Sequence, residues 1–125
     1  MPEAIQPKMS PPPVGPYSHA IRAGTFLFLS GQIPLDTSGQ LVSGGIKEQT
    51  RQVLENIKTI LEDQGLSFHH VVKSTVFLIN LGDFAAMNEV YAQYFKPPFP
   101  ARSTIQVAAL PRQAMVEIEV IASGD

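Results

Sequence analysis

The chain has 125 residues, 44% apolar and only 16% charged, with Lys+Arg 9 against Asp+Glu 11 and a formal net charge of −2. That is one globular domain, with no basic run able to follow a phosphate backbone, so nucleic acid is not an expected partner. The absence of cysteine excludes disulfides, thiolate nucleophiles and Cys–Zn sites.

Residues 1–16 hold Pro2, Pro7, Pro11, Pro12, Pro13 and Pro16, which predicts an extended or polyproline-like segment rather than a helix. This segment lacks the apolar core of a secretory signal, and no apolar run in the chain approaches the ~18 residues of a membrane span. A cytoplasmic domain spanning 1–125 is the expectation, and low charge beside high apolar content hints at surface covered by another subunit.

Residues 17–23 and 25–32 predict a hairpin turning at Ala23-Gly24, followed by turns at 36–39 and 43–45. From Ile46 to Gln64 the apolar positions Ile46, Val53, Leu54, Ile57, Ile60 and Leu61 recur at helical spacing, and Gly65 supplies the stop. The β-branched run 70–79 predicts a buried strand. Asp83 then offers a cap for a second helix with Phe84, Met87, Tyr91, Tyr94 and Phe95 on one face, stopped by Pro97 and Pro98. Two final strands, about 101–108 and 115–122, flank a loop at Leu110-Pro111. The order β-β-α-β-α-β-β points to an α+β fold, both helices covering one face of a mostly antiparallel sheet.

The last two strands hold the most chemistry. Treated as a hairpin, they place Thr104 opposite Glu117 and Arg102 opposite Glu119. Arg102 and both glutamates then point away from the helices, with Glu119 a partner that fixes Arg102. Spacing alone leaves open an ordinary cross-strand salt bridge on a solvated face. Ser30-Gly31-Gln32 ends a strand where free amides and a glycine would let a ligand approach, or where the chain simply turns. Tyr17 suits a pocket cap or plain packing beside Pro16. Asn88 sits at the edge of the second helix's apolar stripe, where such an amide either bonds buried backbone or faces a cleft. His69 and His70 are adjacent and His19 is isolated, so neither chelation nor a Ser-His-Asp triad is expected.

GPYSHAI from Gly15, FLSGQIPLD, QTRQVLENIKTIL, VVKSTVFL, LGDFAAMNEVYAQYF, FPARST and ALPRQAMVEIE occur in order along nearly the whole chain. In this series the chain resembles the RidA/YjgF family of reactive-intermediate (2-iminobutanoate/2-iminopropanoate) deaminases. The resemblance implies a chorismate-mutase-like fold assembled as a homotrimer, with clefts between subunits. It implies that Arg102 binds the carboxylate of a small 2-imino acid and that Glu117 handles water and protons. Tyr17, Ser30, Gly31, Asn88 and Thr104 would line the pocket, with no metal or cofactor. Many members carry Cys where this chain has Thr104, a change that leaves the backbone amide in place. The product would be a 2-oxo acid with ammonia. A 2-oxo acid-binding regulatory role, and the endoribonuclease, translation-inhibitor or chaperone-like activity of some relatives, remain as other readings.

Overall fold

A strand packed on one side must alternate, and the segments around Leu27, Val76 and Ile118 do so almost without exception. The computed structural model describes residues 2–8, 13 and 15–124; the expectation for Met1, 9–12 and Val14 lies outside them. The strands are β1 (Glu3–Ile5), β2 (Ala20–Ala23), β3 (Phe26–Leu29), β4 (Val71–Leu78), β5 (Ala101–Gln106) and β6 (Val116–Ser123). Helix α1 (Ile46–Asp63) precedes β4, and helix α2 (Phe84–Tyr91) joins β4 to β5.

The strands form one six-stranded mixed sheet in the order β1-β2-β3-β6-β4-β5. All neighbouring pairs are antiparallel except β4 with β5. The predicted β2–β3 hairpin and both helices are present, and β1 is an addition within the segment expected to be extended.

The predicted final hairpin is not formed. Strand β6 inserts between β3 and β4, and β5 lies on the far side of β4, parallel to it. Two physical causes act together. The β4-α2-β5 unit is a crossover, which delivers its second strand parallel to its first. The alternate positions Val116, Ile118, Val120 and Ala122 of β6 are at most 2% exposed, which suits a central strand, whereas β5 bears Arg102 and Gln106 and takes the edge.

One face of the sheet carries Leu27, Leu29, Val76, Leu78 and the apolar side of β6, packed against Val53, Leu54, Ile57 and Leu61 of α1 and Met87 and Val90 of α2. At roughly 1.5–3 kcal/mol per buried side chain, this cluster is the main stabilising term. The Glu48 carboxylate of α1 accepts the amide of Gly45 at 2.8 Å, and Gly65 ends the helix with φ of 72°. The Asp83 side chain makes no cap bond, contrary to expectation; Asn80 Oδ1 instead accepts from the Gly82 amide at 2.8 Å one turn earlier. No described helix is long and apolar enough to cross a membrane.

Ile57 is fully buried between helix and sheet, so Ile57→Ala should cost about 2–5 kcal/mol in urea unfolding. A loss under about 0.5 kcal/mol, the scale of a surface change, would contradict this packing.

Candidate functional site

Strand register decides where each candidate residue points. Arg102 pairs with Ser74 across β5 and β4, and Ser74 pairs with Val120 of β6. Paired residues share a face, so Arg102 lies on the helix-covered side. Glu119 pairs with Thr75 and Glu117 with Phe77, on the opposite, uncovered side. The expectation that Arg102 and both glutamates share one face is therefore wrong, as are the Thr104–Glu117 and Arg102–Glu119 pairings. Glu119 is not the partner of Arg102.

Asn88 of α2 takes that part. Its Oδ1 accepts from Arg102 Nη1 at 2.8 Å. The guanidinium carbon stands 4.7 Å from the centre of the Tyr91 ring and 5.5 Å from that of Phe84, within cation–π range. Arg102 has no carboxylate within ion-pairing distance among the described residues. Thr104 is two residues along the same face. The Val107 amide donates to Leu78 across the β4–β5 ladder, and amides alternate in direction along a strand, so the Thr104 amide faces the unpaired edge. The edge of the sheet thus presents a cation with donor capacity left over and a free backbone donor. That is an anion-binding arrangement.

Glu117 belongs to a second group. With Tyr17, Ser30 and Gly31 it lines a cavity of about 700 Å³ that also holds Gln32 and Arg112. A Cβ added at Gly31 would come within 2.8 Å of the Glu117 carboxyl carbon, so only glycine admits the carboxyl there. The Ser30 hydroxyl already donates to the Ser18 carbonyl, which anchors the loop. Tyr17 is 49% exposed at the mouth. Burial, and then the like charge of Glu119, push the Glu117 carboxyl above the ordinary glutamate range. A carboxyl so placed, with its proton affinity raised, can accept a proton and return it.

Among the seven candidates, the structure joins Tyr17, Ser30, Gly31 and Glu117 in one group and Asn88, Arg102 and Thr104 in another. Within one chain the groups are on different faces. Sequence reasoning missed Arg112, in the cavity, and Ser74 and Tyr91, beside Arg102; a serine amid the apolar positions of β4 was the available signal. The His70 ring accepts the Ser67 amide in a short turn before β4, a structural use.

Residues 7–123 match the model of a family described as endoribonuclease L-PSP. A RutC family protein of Pyrococcus horikoshii is 55% identical over 123 residues, 98% of each chain. The 2-iminobutanoate/2-iminopropanoate deaminase of Homo sapiens is 48% identical over 119 residues, covering 94% of this chain and 87% of the human one. The crystal structure of E. coli TdcF with bound serine superposes with a TM-score of 0.90 at 39% identity, covering 98% of this chain and 99% of that one.

Because the folded chain retains the Glu117 proton to higher pH than the unfolded chain, stability should fall as pH rises from the ordinary glutamate range to the raised value. Glu117→Gln should flatten that part of the pH–stability curve, measured by urea unfolding at several pH values. Parallel curves for the two proteins would show that the carboxyl is not perturbed.

Proposed function

The chain belongs to the RidA/YjgF family, and from that premise we propose that it hydrolyses small 2-imino acids to 2-oxo acids and ammonia. The observation carrying this reading is the pairing of chemistries in the two groups: an arginine with spare donors at a sheet edge, and a half-buried carboxyl of raised proton affinity in a cavity. Relatives named 2-iminobutanoate/2-iminopropanoate deaminase support the reaction class.

Catalysis needs both groups at one substrate, and a second copy of the chain can supply this. The uncovered face exposes Phe26, Phe28 and Ile105, each more than two-fifths exposed. Apolar surface of that kind marks an interaction face. In the proposed homotrimer this face is covered by neighbouring copies, and Arg102 at the edge of one chain reaches the Glu117 cavity of the next.

Arg102 would take the substrate carboxylate on the guanidinium edge that Asn88 leaves free, assisted by the Thr104 amide. Water, oriented by Glu117, attacks C2 of the imine. Its first proton passes through the carboxyl to the imine nitrogen, giving a tetrahedral adduct with a hydroxyl and an amino group. The hydroxyl proton then follows the same route to nitrogen, the C–N bond breaks, and ammonia leaves as the C2 carbonyl forms. The imine carbon is already electrophilic, so positioning and proton transfer are sufficient. Glu117 acts here as a base first, so turnover should decline as pH falls through its raised pKa.

Carboxylate binding without turnover is the second reading, favoured by the serine held by the E. coli relative. One assay separates the two: a pyridoxal-phosphate dehydratase generates 2-aminoacrylate, and 2-oxo acid release is followed with and without the protein. Acceleration is expected. Arg102→Ala should lower kcat/KM by about 30-fold or more, the scale of a lost hydrogen-bonded charge pair. Unaccelerated release at every protein concentration would leave only the binding role.

Mixing tests the shared site. Arg102→Ala and Glu117→Gln should each be nearly inactive alone, yet co-assembled chains should recover activity at about a quarter of the sites, by random assortment of two subunit types. No recovery in verified mixed trimers would overturn the shared site.

A further inference from the structure

The serine amid the buried positions of β4 has a partner that explains it. Ser74 is fully buried, and its hydroxyl lies 2.7 Å from the Tyr91 hydroxyl of α2. Tyr91 is itself 7% exposed, stacked on Phe95 with ring centres 4.2 Å apart. Its ring also meets the Arg102 guanidinium at 4.7 Å, and its phenolic oxygen is within the influence of that cation. Ser74 is the register neighbour of Arg102 itself. Serine, phenol and guanidinium therefore form one line running from the core to the sheet edge.

We infer that Ser74 and Tyr91 are positioning residues for carboxylate capture, holding the Arg102 guanidinium in its ligand-ready orientation through the Ser74–Tyr91 hydroxyl pair. A long arginine side chain gives up much rotamer freedom when it is fixed. At an exposed edge that entropy would be lost at each binding event. Here three contacts remove it beforehand: Asn88 on Nη1, the Tyr91 face beneath the plane, and Phe84 beside it. Phe84 is exposed and Asn88 half-buried, both in the first turns of α2. Of these three contacts Tyr91 is the buried one, and the Ser74 hydroxyl bonds its phenol.

The inference rests on the proposed carboxylate role of Arg102, and a double-mutant cycle tests it separately from that role. Tyr91→Phe keeps the ring under the guanidinium and removes only the hydroxyl, leaving Ser74 buried without its partner. Ser74→Ala does the converse. The double variant leaves no orphaned hydroxyl, so its thermal stability should return towards that of the unaltered protein, because removing both partners of a buried hydrogen bond costs less than removing one. Affinity for 2-oxobutanoate should not return with it. Titration calorimetry should show binding weakened by about three- to tenfold in Tyr91→Phe and equally in the double variant, the fold-change of a single hydrogen bond. In the coupled assay KM should rise by the same factor while kcat changes by less than about twofold, as for loss of uniform binding.

Unchanged 2-oxobutanoate affinity in Tyr91→Phe would overturn the inference. So would an affinity that recovers in the double variant together with its melting temperature, since the pair would then be structural only. If the unaltered protein binds no 2-oxobutanoate, the reading of Arg102 falls and the inference with it. If it binds and the variants match it, the inference alone falls.

Discussion

The two-residue period of β6, locked between β3 and β4, is the constraint on which the rest depends. Val116, Ile118 and Val120 must face the helices, since they fill the centre of the core. Glu117 and Glu119 are thereby committed to the other face. A one-residue slip would bury both carboxyls and expose the whole apolar set, so the register is strongly specified. Glu117 acquires its environment as a consequence. It emerges beside Gly31, next to a second carboxylate and half withdrawn from water, and its proton affinity rises without any dedicated partner.

The same periodicity places Arg102 where it would be least expected. On β5 it occupies the helix-facing side, a position that on a central strand would bury an unpaired charge at prohibitive cost. Two features make it tolerable. The strand is at the sheet edge, so the guanidinium reaches solvent, and α2 offers aromatic faces and the Asn88 amide rather than aliphatic side chains. The crossover that makes β5 parallel to β4 is what carries α2 over this position. Chain topology and anion binding are linked at that point.

Much of this was legible in the sequence. The helical stripe from Ile46 to Leu61, the β2–β3 hairpin and the alternation of β6 each encode their element locally, and the ordered motifs identified the family. Strand neighbours were not legible, because pairing is a competition among all strands. Adjacency of β5 and β6 in the chain favoured a hairpin, but burial favoured β6 at the centre, and burial involves more free energy. From that one misplacement came the errors about Glu119 and about the face of Arg102. Asn88 was recognised as an edge amide, although its partner could not be named until α2 was set above β5. Tyr91 looked like a core aromatic, which it also is.

Separation of the two groups bears on how a site without exotic chemistry could be selective. Within one chain, Arg102 and Glu117 cannot neutralise each other, because a sheet stands between them. Had they shared a face, as the hairpin implied, a salt bridge would have satisfied both and left little for a ligand. Placed apart, the guanidinium keeps unused donors and the carboxyl keeps its raised proton affinity. An anionic substrate bridging two copies would then complete both sets of interactions at once. On the proposed reading, assembly is part of the catalytic apparatus: the surface that exposes Phe26 and Phe28 is the surface whose covering brings cation and carboxyl within reach of one imino acid.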